Sequence, residues 1–398
     1  MSLKTQTRAP LGQNSPSADR PGTFYGSLAV FTAGGLFWAF LPLFIGLQSE
    51  ALNISKAGAG ALGSAYLIAF SLVATTAVLW VPRSNWRHAL PAAGVIVVAG
   101  FYAVARADSY ATVIAACIFI GVGMGIKWAI SYRIFGAAAN PDRAFGLSIA
   151  ISYSALAVVV FILGRFVITP YGLGGAALAI IATVALLSLG AFWIPANLAA
   201  PAPSPIGGID GNMPVPVALA LAGIFLGGLG IAAIWAFVER IGVAAGFDGA
   251  RIGPVISGNL LAIGGGSLAA AAISTRIPRR PALAGGYAVL AGSLWTLANI
   301  DSFFSYAAAV TAFGLGTGLV LPFQMATLAT VDSSGRFVVL IAAAQGFGGA
   351  LGPLVGGLAA DSGGRQALVA CGLLIFLASY GMFLSIRSRP VARPVTTE

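Results

Sequence analysis

Charge is what this chain has least of. Only 8% of its 398 residues are Asp, Glu, Lys or Arg, against roughly 25% in soluble domains. With a mean hydropathy of +0.93, that excludes an ordinary water-soluble fold. Histidine is nearly absent, with His88 alone, and the cysteines are two, Cys117 and Cys371. A histidine-based catalytic cluster, a Cys/His metal site and a disulfide framework all need more of these side chains. Nothing in the sequence gathers a nucleophile, a base and a metal ligand. The expectation is no enzyme, no cofactor and no metal. Acids are scarce too: the eleven Asp and Glu all fall in tails, loops or the ends of apolar runs.

What is present is apolar length. A segment of about 20 apolar residues crosses a hydrocarbon core of about 30 Å, and twelve such segments can be read. They fall at roughly 24–46, 57–80, 88–106, 111–136, 144–168, 173–195, 215–238, 250–273, 281–299, 303–329, 337–359 and 366–386. The connections are short, which predicts an all-α integral membrane protein with almost no extramembrane domain. Residues 1–23, rich in Ser, Pro and Thr, read as a disordered tail. They lack the short apolar core and cleavage site of a signal peptide. Residues 387–398 read as a second tail.

The net charge of +10 reports orientation rather than nucleic-acid binding. With the N-terminus inside, Lys4, Arg8, Arg20, Arg83, Arg87, Arg133, Arg143, Arg276, Arg279, Arg280, Arg336, Arg387, Arg389 and Arg393 lie on the cytoplasmic side. Lys56, Arg106, Arg240, Arg251 and Arg365 lie opposite. That asymmetry is the positive-inside bias. It predicts both termini in the cytoplasm and residence in a bacterial cytoplasmic membrane.

The chain repeats itself. At a shift of 193 residues Arg83 falls on Arg276, Arg87 on Arg280, Asp108 on Asp301 and Arg143 on Arg336. Gly34 and Gly35 fall on Gly227 and Gly228, and Gly121, Gly123 and Gly125 on Gly314, Gly316 and Gly318. The repeat divides the chain into six-helix halves at 24–196 and 215–386, joined by a Pro/Gly-rich cytoplasmic linker at 197–214. Six is even, so the halves enter the bilayer in the same sense, as parallel repeats with a cavity between them near the midplane.

Two such halves, basic loops after helices 2 and 8 and a longer middle linker resemble the major facilitator superfamily, over about residues 24–386. The family's loop signature of a Gly, an Asp and basic residues survives as "VPRSNWRH" and "STRIPRRP", with the arginines kept and the acid missing. "NPDRAFG" (140–146) and "GGLAADSGGRQAL" (356–368) fit the family's other loops. The resemblance implies a secondary transporter working by alternating access. It assigns Arg83, Arg87, Arg143, Arg276, Arg280 and Arg336 to the cytoplasmic gate. "GFGGALGPLVGG" (346–357) is similar to the Gly-Pro signature of the family's antiporters, but that signature belongs in helix 5. Here it also reads as close helix packing through small residues.

One charge stands inside an apolar run: Lys127, in "GVGMGIKWAISYR". Snorkelling to the interface would work against the lean of helical side chains toward the helix N-terminus. The reading is therefore a cavity-facing lysine, and with no acid in mid-helix its expected partner is an anionic substrate. Matched polar positions extend the site: Ser131 with Gln324, Ser152 with Gln345, Tyr66 with Asn259. Each also reads as an interhelical hydrogen bond. Trp38 is a candidate stacking residue, and Glu239 a candidate proton site or a surface partner of Arg240 or Arg251.

The functional expectation is secondary transport of a small organic anion, a monocarboxylate or aromatic acid, by a monomer embedded in lipid, with proton symport as the guess for coupling. Efflux of drugs or amphipathic metabolites is the alternative, and a non-transporting receptor the alternative of another class. The topology is directly testable in a background without Cys117 and Cys371. A cysteine at Ser302 is expected to react with an impermeant thiol reagent from outside intact cells, and one at Ser204 to be protected. The reverse pattern would invert the orientation.

Overall fold

The computed structural model describes residues 17–52, 56–198, 213–247 and 249–386, and every regular element among them is helical. Most of the 197–214 linker, the tail from 387 and residues 1–16 lie outside the described residues. In hydrocarbon a backbone group finds partners only within its own helix, so the apolar runs become helices. They are α1 (Pro21–Leu52), α2 (Lys56–Trp80), α3 (Trp86–Ala105), α4 (Tyr110–Gly136), α5 (Pro141–Ile162), α6 (Thr169–Ser188), α7 (Val215–Trp235), α8 (Gly249–Ile273), α9 (Arg279–Ala298) and α10 (Phe303–Val331). The last run, Ile341–Ser385, breaks at Gly363 and Gly364, giving α11 (341–362) and α12 (365–385). That makes twelve helices long enough to cross a bilayer among the described residues.

Polar caps start the helices where the chain leaves lipid. Asn85 accepts from the Arg87 amide (3.0 Å), Asn140 from the Arg143 amide (3.0 Å) with Pro141 behind it, and Ser302 forms a capping box with Ser305. Gly172 (φ 57) kinks the chain in the first turn of α6, and Gly364 (φ 63) turns it between the eleventh and twelfth spans, a conformation that a Cβ would strain. Residues 17–23, expected in the disordered tail, are structured, with α1 beginning at Pro21. A 3-10 turn covers Ser17–Asp19, and Asp19 accepts the Ala139 amide at 3.0 Å.

The repeat is visible in boundaries and contacts. Lys56 and Gly249, Trp86 and Arg279, and Tyr110 and Phe303 begin helices 193 residues apart. A Cβ at Gly121 would collide with the Tyr66 carbonyl, and one at Gly314 with the Asn259 carbonyl. Gly125 and Gly318 meet the carbonyls of Phe70 and Ile263 in the same way. Arg87 Nε donates to the Ile194 carbonyl (3.3 Å) and Arg280 Nη2 to the Ile386 carbonyl (2.7 Å), so each ties the end of the sixth helix of its own half. Along the Gly-Pro stretch, Gly348, Gly352 and Gly356 lie against the carbonyls of Phe225, Leu229 and Ala233 in α7. That motif is a packing seam.

The halves meet on the face where the described chain begins and ends. There Gly146 of α5 lies against Ala271 and the Ser267 carbonyl of α8, Gly346 against Ser71 and Phe70 of α2, and Gly136 against Val338. One ion pair locks this terminal face, the only one among the described residues. Arg279 Nε and Nη2 reach the two carboxylate oxygens of Asp142 at 2.8 and 2.6 Å, and its Nη1 donates to Thr330 Oγ1 at 2.6 Å. Arg133 adds a second tie, its guanidinium packed on Gly335 of the other half.

None of the six arginines expected at the gate makes a cross-half ion pair among the described residues. Arg83 donates to Leu79 in its own helix, Arg87 and Arg280 clamp within their halves, Arg336 lies over Phe337, and Arg143 and Arg276 are exposed. The physical reason is symmetry. Residues repeated in both halves do the same job in each, whereas an ion pair between halves needs unlike residues. Asp142 matches Gly335 at the 193 shift, and Arg279 matches Trp86.

This latch generates a prediction. A bidentate, charge-assisted pair that is half out of water contributes about 1–3 kcal/mol. Asp142→Asn or Arg279→Gln should raise the alkylation rate of a cysteine at Ala271, beneath the latch, by roughly tenfold. The double substitution should add little to either single one. An unchanged rate would show that the pair does not hold the face closed.

Candidate functional site

On the side away from the terminal face the halves part, enclosing a cavity of about 640 Å³. Its N-half wall is aromatic: Trp38 from α1, Tyr66 and Phe70 from α2, Trp128 from α4, and Tyr153 and Phe161 from α5. The C-half wall is smaller and more polar. It has Gly228, Ile231 and Trp235 of α7, Ser257 and Asn259 of α8, Phe313 and Thr317 of α10, and Gln345 and Gly349 of α11. No Asp, Glu, Lys or Arg lines the cavity among the described residues.

Local contacts fix the wall. Trp128 stacks on Phe31 (centroids 4.9 Å apart, 30° between planes), meets Phe70 edge-on at 5.4 Å, and donates from Nε1 to the Phe31 carbonyl at 3.2 Å. Gly34 makes the space, since a Cβ there would strike the indole. At the cavity floor Tyr132 of the N-half donates to Gln345 Oε1 of the C-half at 2.6 Å. The Gln345 amide nitrogen is left without a protein partner among the described residues. Asn259, 1% exposed, donates from Nδ2 to the Val310 carbonyl at 2.7 Å.

Of the residues expected to line a site, Trp38, Tyr66, Asn259 and Gln345 line this cavity. Ser152 stands one layer back, its hydroxyl sharing a hydrogen bond with Thr32 (2.7 Å) and bordering a small void against Trp38 and Trp128. Three others point away. Lys127 is fully buried inside the N-half and donates from Nζ to Ser188 Oγ of α6 at 2.8 Å, over Gly94 of α3. Ser131 donates to the Ser27 carbonyl at 3.3 Å. Gln324 donates to Tyr287 at 2.6 Å inside the C-half. Lys127 is therefore not the cavity wall, nor near Gln324 or Gln345. Adjacent helical residues lie about 100° apart, and it is Trp128, the next residue, that faces the cavity. The Glu239 side chain lies outside the described residues; its backbone belongs to a short helix, Val238–Ala244.

Sequence reasoning missed Trp128, Tyr153 and Thr317. Trp128 carried no signal of its own, because an aromatic residue in an apolar helix suits lipid, packed core and cavity alike.

No family model and no curated protein sequence matches the chain. Solved structures do. The transporter FucP in the outward conformation superposes with a TM-score of 0.75 at 13% identity, over 94% of this chain and 100% of that one. A second structure of FucP, described as the E. coli fucose:proton symporter, gives 0.74 at 13% identity over the same shares. The human organic anion transporter MFSD10 gives 0.66 at 16% identity, over 91% of this chain and 98% of that one. The chain has the major facilitator superfamily fold.

Proposed function

We propose that the protein is a secondary transporter that moves a small, uncharged, ring-bearing molecule across its membrane by alternating access. The observation that carries the reading is the cavity itself. It lies between two repeated halves, it is sealed on the terminal face by the Asp142–Arg279 pair, and its wall is without charge among the described residues. An ionised carboxylate entering that wall would exchange its hydration for aromatic rings and amides, with no cation among the described lining residues to meet it, which costs several kcal/mol. A neutral ring keeps its stacking partners on Trp38 and Trp128. The reading follows the amphipathic-metabolite alternative, and exchange is its natural mode, because no carboxylate lines the cavity among the described residues to carry a proton.

The organic-anion reading keeps one observation in its favour. Lys127 is a buried cation one residue from Trp128, with no acid bound to it among the described residues. The fold is also shared with a human organic anion transporter. The two readings part on one experiment, counterflow in proteoliposomes with neutral aromatic compounds and with aromatic carboxylates. Neutral compounds are expected to exchange and carboxylates not; the opposite result transfers the function to anions.

Two substitutions sharpen this. Trp128→Ala should weaken neutral-ring binding by roughly threefold to tenfold, the worth of a stacked aromatic contact. Lys127→Met should keep that binding within about twofold and leave the protein equally or more heat-stable, because it removes a buried charge with one hydroxyl partner. A tenfold or greater loss of binding in Lys127→Met at unchanged stability would return the lysine to the site.

A further inference from the structure

The hydrogen-bonding capacity of the cavity is not evenly spread. Among its fully buried side chains, two oxygens have no partner among the described residues, Asn259 Oδ1 and Thr317 Oγ1, and both belong to the C-half. The residues carrying them are 1% and 2% exposed. A buried acceptor without a donor is costly to keep, so this pair of orphans points to a ligand.

The Asn259 amide can be oriented without ambiguity. Its partner on α10 is a backbone carbonyl, Val310 O at 2.7 Å, and a carbonyl only accepts, so the group facing it is the NH₂. That leaves Oδ1 as a pure acceptor, buried and without a donor among the described residues. Gly314 fixes the side chain further, because a Cβ there would press on Nδ2 and Cγ of Asn259. Val310, Gly314 and Thr317 follow one another at helical spacings of four and three, so they share one face of α10. The amide and the hydroxyl are thus set along a single seam between α8 and α10. The matching seam of the N-half carries Tyr66 at the Asn259 position and Met124 at the Thr317 position. The two walls are polarised by sequence.

We infer that Asn259 and Thr317 form a subsite for a hydrogen-bond donor of the cargo, a hydroxyl or N–H group on a neutral ring whose other face lies on the N-half aromatics. This rests on the reading of the cavity as a cargo site and adds what the cargo must present there. An acceptor-only group, such as a carboxylate or an ether, leaves Asn259 Oδ1 unmet. Sites built to receive a donor reject analogues without one far more strongly than apolar pockets reject a missing methylene.

The test uses matched pairs that differ by one donor, phenol with anisole and indole with N-methylindole, titrated against the purified protein in detergent by tryptophan fluorescence and by calorimetry. The donor-bearing member is expected to bind roughly tenfold to a hundredfold more tightly. Thr317→Val keeps the side-chain shape and should shrink that ratio severalfold, and Asn259→Ala should bring it close to one. Binding of the capped members should be little changed in both variants. Thermal unfolding of each variant checks that it is folded, and Thr317→Val decides the matter alone if Asn259→Ala is not. Equal binding of both members of each pair to the unsubstituted protein overturns the subsite and leaves the neutral-cargo reading standing. Benzoate binding more tightly than phenol overturns both.

Discussion

A helix in a bilayer gains almost nothing by hiding apolar surface, because its solvent is as apolar as its side chains. Helices must then hold together through close contact, and close contact requires residues without bulk. This constraint accounts for the high glycine count and for where the glycines lie. Gly121 and Gly125 let α4 rest on the backbone of α2, and Gly314 and Gly318 let α10 rest on α8. Gly348, Gly352 and Gly356 do the same for α11 on α7. These seams rigidify each half. Between the halves the comparable contacts, at Gly146, Gly264 and Gly346, are confined to the portion nearer the terminal face, and the rest is left open as the cavity.

The same solvent decides where charge can go. Asp142 and Arg279 stand at helix beginnings, where water is near, and can therefore act as a reversible tie between halves. The cavity, deeper in, is built from rings, an amide pair and hydroxyls. Lys127 is the exception. It occupies a niche between α3, α4 and α6 with the Ser188 hydroxyl as its one bonded partner among the described residues, and Ser188 in turn donates to the Val184 carbonyl at 2.6 Å. The C-half has a neutral network in the corresponding region, Gln324 with Tyr287 and Ser379. Each half thus buries its own polar knot away from the cavity.

Much of the fold was legible because length and periodicity carry it. The twelve apolar runs, the 193-residue shift and the even helix count follow from composition along the chain, and the helix starts at Lys56/Gly249 and Trp86/Arg279 repeat with that shift. The site was legible in half. Tyr66, Asn259 and Gln345 were found because a polar residue in hydrocarbon needs a reason to be there. Lys127 attracted the same logic and satisfied it differently, since burial alone does not say which neighbour receives the charge. Trp128 escaped notice because an aromatic residue in a membrane helix is unremarkable until its direction is known. The latch escaped because attention went to the repeated arginines, whereas a tie between halves is made by residues that do not repeat.

The proposed alternating access makes a demand that one measurement can meet. Spin labels at Arg143 and Arg276 report the separation of the halves on the terminal face, and labels at Ile162 and Val243 report it on the other; all four positions are exposed. In Asp142→Asn, with the latch broken, a population with a longer Arg143–Arg276 distance is expected, together with one of equal size in which Ile162 and Val243 are closer. Lengthening at the terminal face with no shortening at the other would describe a bundle coming apart, and would contradict the account.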